Sequence, residues 1–130
     1  MRRDHELAEM LLRKAKNDQV ALQELAATNS PDDVTGFHAQ QAVEKCLKAV
    51  LAAREISYPF THDLRRLIAL TQAEGIPIPA EFEDVKKLTT YAAVFRYDEM
   101  DLESGALDRP WALDRVRQVI AWAESVIRED

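Results

Sequence analysis

The stretch GFHAQQAVEKCLKA, residues 36–49, decides the fold because its apolar residues recur at helical spacing along one side. At about 100° per residue, an apolar arc is formed by Ala39, Val43, Cys46, Leu47 and Val50. The neighbouring arc is polar and consists of His38, Gln41, Lys45 and Lys48. Ala42 and Ala49 lie between the two arcs, where small side chains let another backbone approach closely. The polar arc therefore lines a groove between helices, forms a subunit interface, or is an ordinary solvated face.

Glycine and proline are sparse and clustered in the rest of the chain, with three Gly and five Pro in 130 residues. The segments between these clusters are rich in Ala, Leu, Glu, Lys, Gln and Arg, which favour helices. This pattern predicts five helices, at about 4–27, 32–54, 62–74, 80–97 and 110–128. Short connections favour antiparallel neighbours. We therefore expect an all-α fold, an up-and-down bundle of four to five helices, in a single domain over residues 1–130.

Polar residues at the predicted helix starts have the side chains that cap helices. The expected caps are Ser30 or Asp32 for the second helix, Thr61 for the third and Asp108 for the fifth. Asp63 is expected to lie in the first turn of the third helix, where a carboxylate interacts favourably with the helix dipole. We assign Thr61, His62 and Asp63 structural roles.

Composition excludes several classes of protein. The single cysteine, Cys46, cannot form an intramolecular disulfide, and its apolar helical neighbours indicate a core residue. No apolar run approaches the ~20 residues that span a bilayer, and the N-terminus lacks a signal-peptide core, so we expect a cytoplasmic protein without membrane contact. A net charge of −6 argues against non-specific coating of nucleic acid. His38 and His62 are too few for a zinc site, so no metal or cofactor is expected.

Two charged residues fall on faces that are predicted to be buried. Asp18 is placed in the apolar stripe of the first helix, and Arg96 is in phase with Val85 and Thr89 of the fourth. Because an unpaired buried charge is costly, a pairing of Asp18 with Arg96 is one interpretation. The other is that Arg96, in the last helical turn, packs its stem on the core and reaches the surface with its guanidinium.

Four separated pieces of the sequence together resemble the prokaryotic HEPN family, named for higher eukaryotes and prokaryotes nucleotide-binding. The pieces are AKND at 15–18, FHAQQAVEKCLKA at 37–49, THDL at 61–64, and Tyr91 with Arg96-Tyr97 near the end of the fourth helix. The resemblance implies a bundle of four or five α-helices, often dimeric, with functions tied to nucleotides or RNA. Many relatives act with a minimal nucleotidyltransferase as a two-component toxin–antitoxin system, which makes a homodimer and such a partner the expected assembly.

The resemblance also implies a site for a nucleotide or RNA. Lys45 and Arg96 would meet phosphate, and Tyr91 or Tyr97 would stack on a base. The residues expected to bind the nucleotide are His38, Gln41, Lys45, Lys48, Tyr91, Arg96 and Tyr97.

Other branches of the family are metal-independent ribonucleases, in which an Arg is followed after four to six residues by a His. There the imidazole transfers protons around a 2′-hydroxyl attack and the Arg stabilises developing phosphate charge. After Arg96 the corresponding positions hold Asp101, Leu102 and Glu103. The sequence therefore predicts a non-catalytic nucleotide- or RNA-associated module. The alternative is a dimeric ribonuclease toxin in which a histidine from another helix has the catalytic role, and a third interpretation makes the whole motif structural.

Overall fold

The computed structural model of the chain describes residues 2–92 and 106–129. Within these ranges the chain forms four α-helices and one 3-10 helix, without strands. The elements are α1 (Arg2–Ala26), α2 (Asp32–Ala53), α3 (Leu64–Ala73), the 3-10 helix (Ala80–Tyr91) and α4 (Arg109–Arg128). The predicted all-α bundle is confirmed.

Helix α2 is the centre of the bundle, since it packs against α1, α3, α4 and the 3-10 helix. The apolar arc predicted from the sequence is buried, with Ala39, Val43, Cys46, Leu47 and Val50 each at most 3% exposed. Ala42 and Ala49, beside that arc, are also completely buried. Burial raises the pKa of the Cys46 thiol, which is therefore an inert core residue.

Helix α1 buries a face slightly different from the apolar stripe predicted for it, which consists of Leu7, Leu11, Leu22 and Leu25. Leu22 is buried as predicted, and so are Ala8, Leu12 and Ala15, whereas Leu7 is 37% exposed. Asp18 lies on the buried face, as predicted, with 8% of its surface exposed. None of the helices in the described part of the chain is long and apolar enough to cross a membrane.

The fourth predicted helix differs from an α-helix in both its type and its end. Residues 80–91 form a 3-10 helix, and Ala92 is extended, with φ −63° and ψ 141°. Phe82, Val85 and Leu88 are buried at intervals of three residues, which matches the 3-10 repeat, where residues i and i+3 lie above one another. The predicted continuation to residue 97 lies outside the described residues.

Arg109, at the start of α4, fastens the turn between α1 and α2. Its guanidinium donates to three carbonyl oxygens and pairs with the Asp32 carboxylate at 3.0 Å. The accepting carbonyls belong to Leu25, Thr28 and Ser30. Asp32 also accepts from the backbone N–H of Leu107 at 3.0 Å.

The prediction that Ser30 or Asp32 caps α2 is wrong, because the N-cap is Pro31 and no side chain caps the helix.

The other two helix starts differ in how well they match the predicted caps. Asp63, rather than Thr61, caps α3, because its carboxylate accepts from the backbone N–H of Arg65 at 2.9 Å. Thr61 instead accepts, through Oγ1, from the backbone N–H of Asp63 at 3.1 Å. Asp108 caps α4 as predicted, accepting from the backbone N–H of Trp111 at 3.0 Å.

Candidate functional site

Asp18 is a buried carboxylate that joins α1 to two side chains of α2. Its Oδ1 lies 3.0 Å from Nδ1 of His38, and its Oδ2 accepts from Nζ of Lys45 at 2.6 Å. We call Asp18, His38 and Lys45 the Asp18 cluster. The predicted partner Arg96 lies outside the described residues, and within them the charge of Asp18 is balanced by Lys45.

Glu44 is a second buried carboxylate, which was not among the site residues predicted from the sequence. It is 4% exposed, and its Oε1 accepts from Nε2 of Gln40 at 2.8 Å and lies 3.0 Å from Nδ1 of His62. Its Oε2 accepts from Nζ of Lys48 at 3.0 Å. We call Glu44, His62 and Lys48 the Glu44 cluster. It joins α2 to the segment that precedes α3, so the structural role predicted for His62 has a physical basis.

The two clusters have the same arrangement, in which a buried carboxylate contacts a histidine Nδ1 and a lysine Nζ. Two carboxylates and two ammonium groups leave the clusters without net charge when the imidazoles are neutral. Gln41 extends the Glu44 cluster, since its Nε2 donates to Oε1 of Gln40 at 2.8 Å. The four polar residues predicted on one arc of α2 thus belong to two internally paired networks, one around Asp18 and one around Glu44. We call that arc the polar edge; its members are His38, Gln41, Lys45 and Lys48.

Each histidine presents the same ring nitrogen to its carboxylate. A neutral imidazole that donates from Nδ1 keeps the lone pair of Nε2, on the far side of the ring, available as an acceptor. The side chains of His38 and His62 are 28% and 36% exposed. Both rings are therefore oriented by a carboxylate and reachable from solvent. Among the described residues, no group of three or more His, Cys, Asp or Glu is arranged to hold a metal ion.

Tyr91 lies away from the polar edge, although both were assigned to one site. Its ring packs on Gly36, where an added Cβ would lie 2.5 Å from ring carbons. Gly36 and Lys45 are nine residues apart on α2, which places them on opposite faces of the helix. The structure therefore separates Tyr91 from His38, Gln41, Lys45 and Lys48. The other two predicted ligand residues, Arg96 and Tyr97, lie outside the described residues.

This geometry defines a class of protein. It is a small all-α domain built around one helix, and the polar edge of that helix contains a histidine that a carboxylate orients. The family model for the HEPN domain matches residues 8–129. The chain therefore belongs to the HEPN domain family, whose members are nucleotide- or RNA-related modules. Comparison with curated proteins and with solved structures gives no match.

Proposed function

We propose that this chain is a non-catalytic HEPN module that binds a nucleotide or RNA and regulates a minimal nucleotidyltransferase. In this proposal it acts in the cytoplasm as a homodimer, in a two-component toxin–antitoxin pair. Family membership supports the nucleotide or RNA ligand, and HEPN domains often form dimers and bind RNA. The observation that carries the non-catalytic assignment is the pairing of both polar-edge lysines with buried carboxylates.

At the polar edge, that pairing leaves neither lysine as the free cation that a phosphoryl-transfer site requires. Such a site aims cations at the oxygen atoms where negative charge develops. Here Nζ of Lys45 lies 2.6 Å from Asp18, and Nζ of Lys48 lies 3.0 Å from Glu44. Capturing either ammonium with a phosphate would leave a buried carboxylate without its cation, which costs about 3–5 kcal/mol. The lysines therefore hold the clusters together, and the Nε2 atoms of His38 and His62 stay available on this face.

Calorimetry tests the nucleotide part of the proposal. We expect saturable heat when ATP, GTP or their monophosphates are titrated into the full chain. For tests of the polar edge, the matched control to His38→Ala is His5→Ala, because His5 is exposed on α1 and pairs only weakly with Glu9 at 3.7 Å. Absence of heat with all of these nucleotides and with a single-stranded oligoribonucleotide, at millimolar concentration, would contradict the proposal.

Co-purification tests whether the chain forms a complex with the proposed nucleotidyltransferase. If the adjacent reading frame encodes a small nucleotidyltransferase, we expect the two proteins to elute together after co-expression. Loss of that complex in His38→Ala, with retention in His5→Ala, would place the polar edge at the contact. A well-folded nucleotidyltransferase that elutes separately would contradict the regulatory pair.

A ribonuclease is the second candidate, and the orientation of the two imidazoles favours it. When its imidazole is neutral and donates from Nδ1, His38 or His62 has an Nε2 lone pair that can act as a general base. It would take the proton of an RNA 2′-hydroxyl while the 2′-oxygen bonds to phosphorus. The bond from phosphorus to the 5′-oxygen then breaks, and the leaving oxygen takes a proton from water. The products would be a 2′,3′-cyclic phosphate and a free 5′-hydroxyl.

Incubating the purified protein with RNA in EDTA separates the two candidates. Cleavage that disappears in His38→Ala or His62→Ala, and persists in His5→Ala, would establish the ribonuclease. RNA that remains intact with well-folded protein is the result that the binding module predicts.

A further inference from the structure

A cavity of about 130 Å³ lies where the end of the 3-10 helix meets the start of α4. Its walls combine two aromatic rings with one cation and one carboxylate. These side chains are Tyr91, Trp111, Lys87 and Asp108, with Thr90 and Leu88 beside them. None belongs to the Asp18 or Glu44 cluster, so the cavity is a separate candidate site.

Both aromatic walls are held in place by neighbouring residues. Tyr91 is fixed by its close packing on Gly36. Trp111 is fixed by its indole Nε1, which donates to the Asp84 carboxylate at 2.9 Å. Arg115 donates to both oxygens of the same carboxylate, at 2.8 and 3.0 Å. A ligand that contacts these rings therefore spends little free energy on ordering them.

The hydrogen bonds to Asp84 also keep its charge in place. Burial raises the pKa of the Asp84 carboxyl, but the bonds from Arg115 and Trp111 outweigh burial and hold it below its usual value. Asp84 thus stays ionised and continues to anchor the indole over the neutral pH range.

Charge around the cavity favours a neutral planar ligand over a buried phosphate. Burial raises the pKa of Tyr91, and the charges of Asp32 and Asp33 raise it further, so these two carboxylates make the electrostatic potential at the Tyr91 hydroxyl more negative. The cation on the cavity wall is Lys87, whose Nζ lies 4.1 Å from the centroid of the Trp111 ring. Lys87 is itself exposed, which places its ammonium near solvent.

The volume sets how much of a ligand can enter. Sites that enclose a drug-sized ligand measure roughly 300–1,000 Å³, so a cavity of about 130 Å³ encloses only part of a nucleotide. We propose that it is a nucleobase site in which Tyr91 and Trp111 contact the base. Lys87 meets the phosphate outside, at the mouth. This inference rests on the proposed nucleotide or RNA ligand and moves the base-binding residues away from the polar edge.

Two single-tryptophan variants test the site by fluorescence. The chain has two tryptophans, so Trp122→Phe leaves Trp111 as the reporter and Trp111→Phe leaves Trp122. Trp122 donates to the Pro77 carbonyl at 3.2 Å and packs edge-on against Phe82, which makes it the matched control. With AMP, GMP, CMP or UMP, or with short single-stranded oligoribonucleotides, we expect saturable quenching of Trp111 and none of Trp122. Ribose 5-phosphate, which lacks a base, should quench neither.

The ligand affinities of single variants test which side chains of the cavity wall contact the ligand. Stacking on one aromatic ring changes affinity by about tenfold or more, so Tyr91→Leu should weaken binding at least that much. Thr90→Phe, which adds bulk at the wall without removing a ring, should do the same if the cavity is occupied. Lys87→Ala should lower the affinity for nucleotides. Lys86→Ala should leave it unchanged, because Lys86 pairs with Glu83 at 2.5 Å. Tighter binding of oligoribonucleotides than of mononucleotides would identify RNA as the source of the base, and the reverse order a free nucleotide.

The outcomes separate this inference from the proposed function. If calorimetry detects a nucleotide but Trp111 is not quenched and Thr90→Phe binds normally, the base binds elsewhere and only this inference fails. If calorimetry detects no nucleotide or RNA at all, both fail.

Discussion

Replacing Glu44 by Gln tests whether the Glu44 cluster holds the bundle together. Three donors converge on this carboxylate, from Gln40, His62 and Lys48. A glutamine of the same shape accepts through one oxygen only, and its NH₂ group would then face a donor. The change leaves the Lys48 ammonium, whose side chain is 12% exposed, without its anion.

The expected loss follows from the burial of this ion pair. Breaking a buried pair by removing one partner costs about 3–5 kcal/mol. Lys48 keeps slight exposure, and its Nζ lies 5.8 Å from the Tyr58 ring, so the lower end of that range applies. We therefore expect Glu44→Gln to lower the free energy of unfolding by about 3 kcal/mol. For a chain of this size that corresponds to a fall in Tm of roughly 10 °C.

Urea and thermal denaturation followed by circular dichroism would measure the change. Glu83→Gln is the matched control, because Glu83 is exposed and its pair with Lys86 lies on the surface, so less than about 1 kcal/mol should be lost. Replacing both Glu44 and Lys48 by Met should recover much of the stability, since no buried charge is left unpaired. A loss below about 1 kcal/mol for Glu44→Gln would show that the buried pair of Glu44 with Lys48 does not stabilise the bundle.

Three further changes probe other parts of the fold. Gly36→Ala should destabilise the protein by about 2 kcal/mol in chemical denaturation, because its Cβ would clash with the Tyr91 ring; equal stability of the variant would contradict that packing. The pKa of Asp32 is lowered by the Leu107 N–H and Arg109, so its contribution is complete above about pH 5 and is lost as pH falls below about 4. The stability difference between the native chain and Asp32→Asn should shrink over that interval, and a difference that grows on acidification would be inconsistent. Cys46 should react with a thiol reagent only after urea unfolds the chain, and rapid reaction of the native protein would contradict its burial.

The sequence predicted the fold well because α2 has a clear helical period. The buried arc that includes Val43 and Val50 appears directly in the spacing of apolar residues. The sequence pattern did not distinguish the 3-10 helix from an α-helix, because Phe82, Val85 and Leu88 fit one side of either helix type. Their strict spacing by three residues was the available signal.

The candidate site was predicted only in part, because burial of polar residues depends on distant segments. The polar arc of α2 was predicted, but Glu44 was assigned no role. Its burial depends on His62, which arrives from the segment before α3. Gln40, Glu44 and Lys48 follow one another at intervals of four, and that spacing was the only local sign of a connected row. The assignment of Tyr91 to the polar edge could not be judged from the period of a single helix.

The most direct test of the account is a titration of the isotopically labelled full chain with a single-stranded oligoribonucleotide in EDTA. Correlation spectra of amide and indole N–H groups report binding, and the same sample reports cleavage. We expect saturable shifts of the Trp111 indole N–H and of the amides near Tyr91, with the RNA intact. Spectra that stay unchanged at millimolar ligand, or RNA that ends in 2′,3′-cyclic phosphate, would contradict the account.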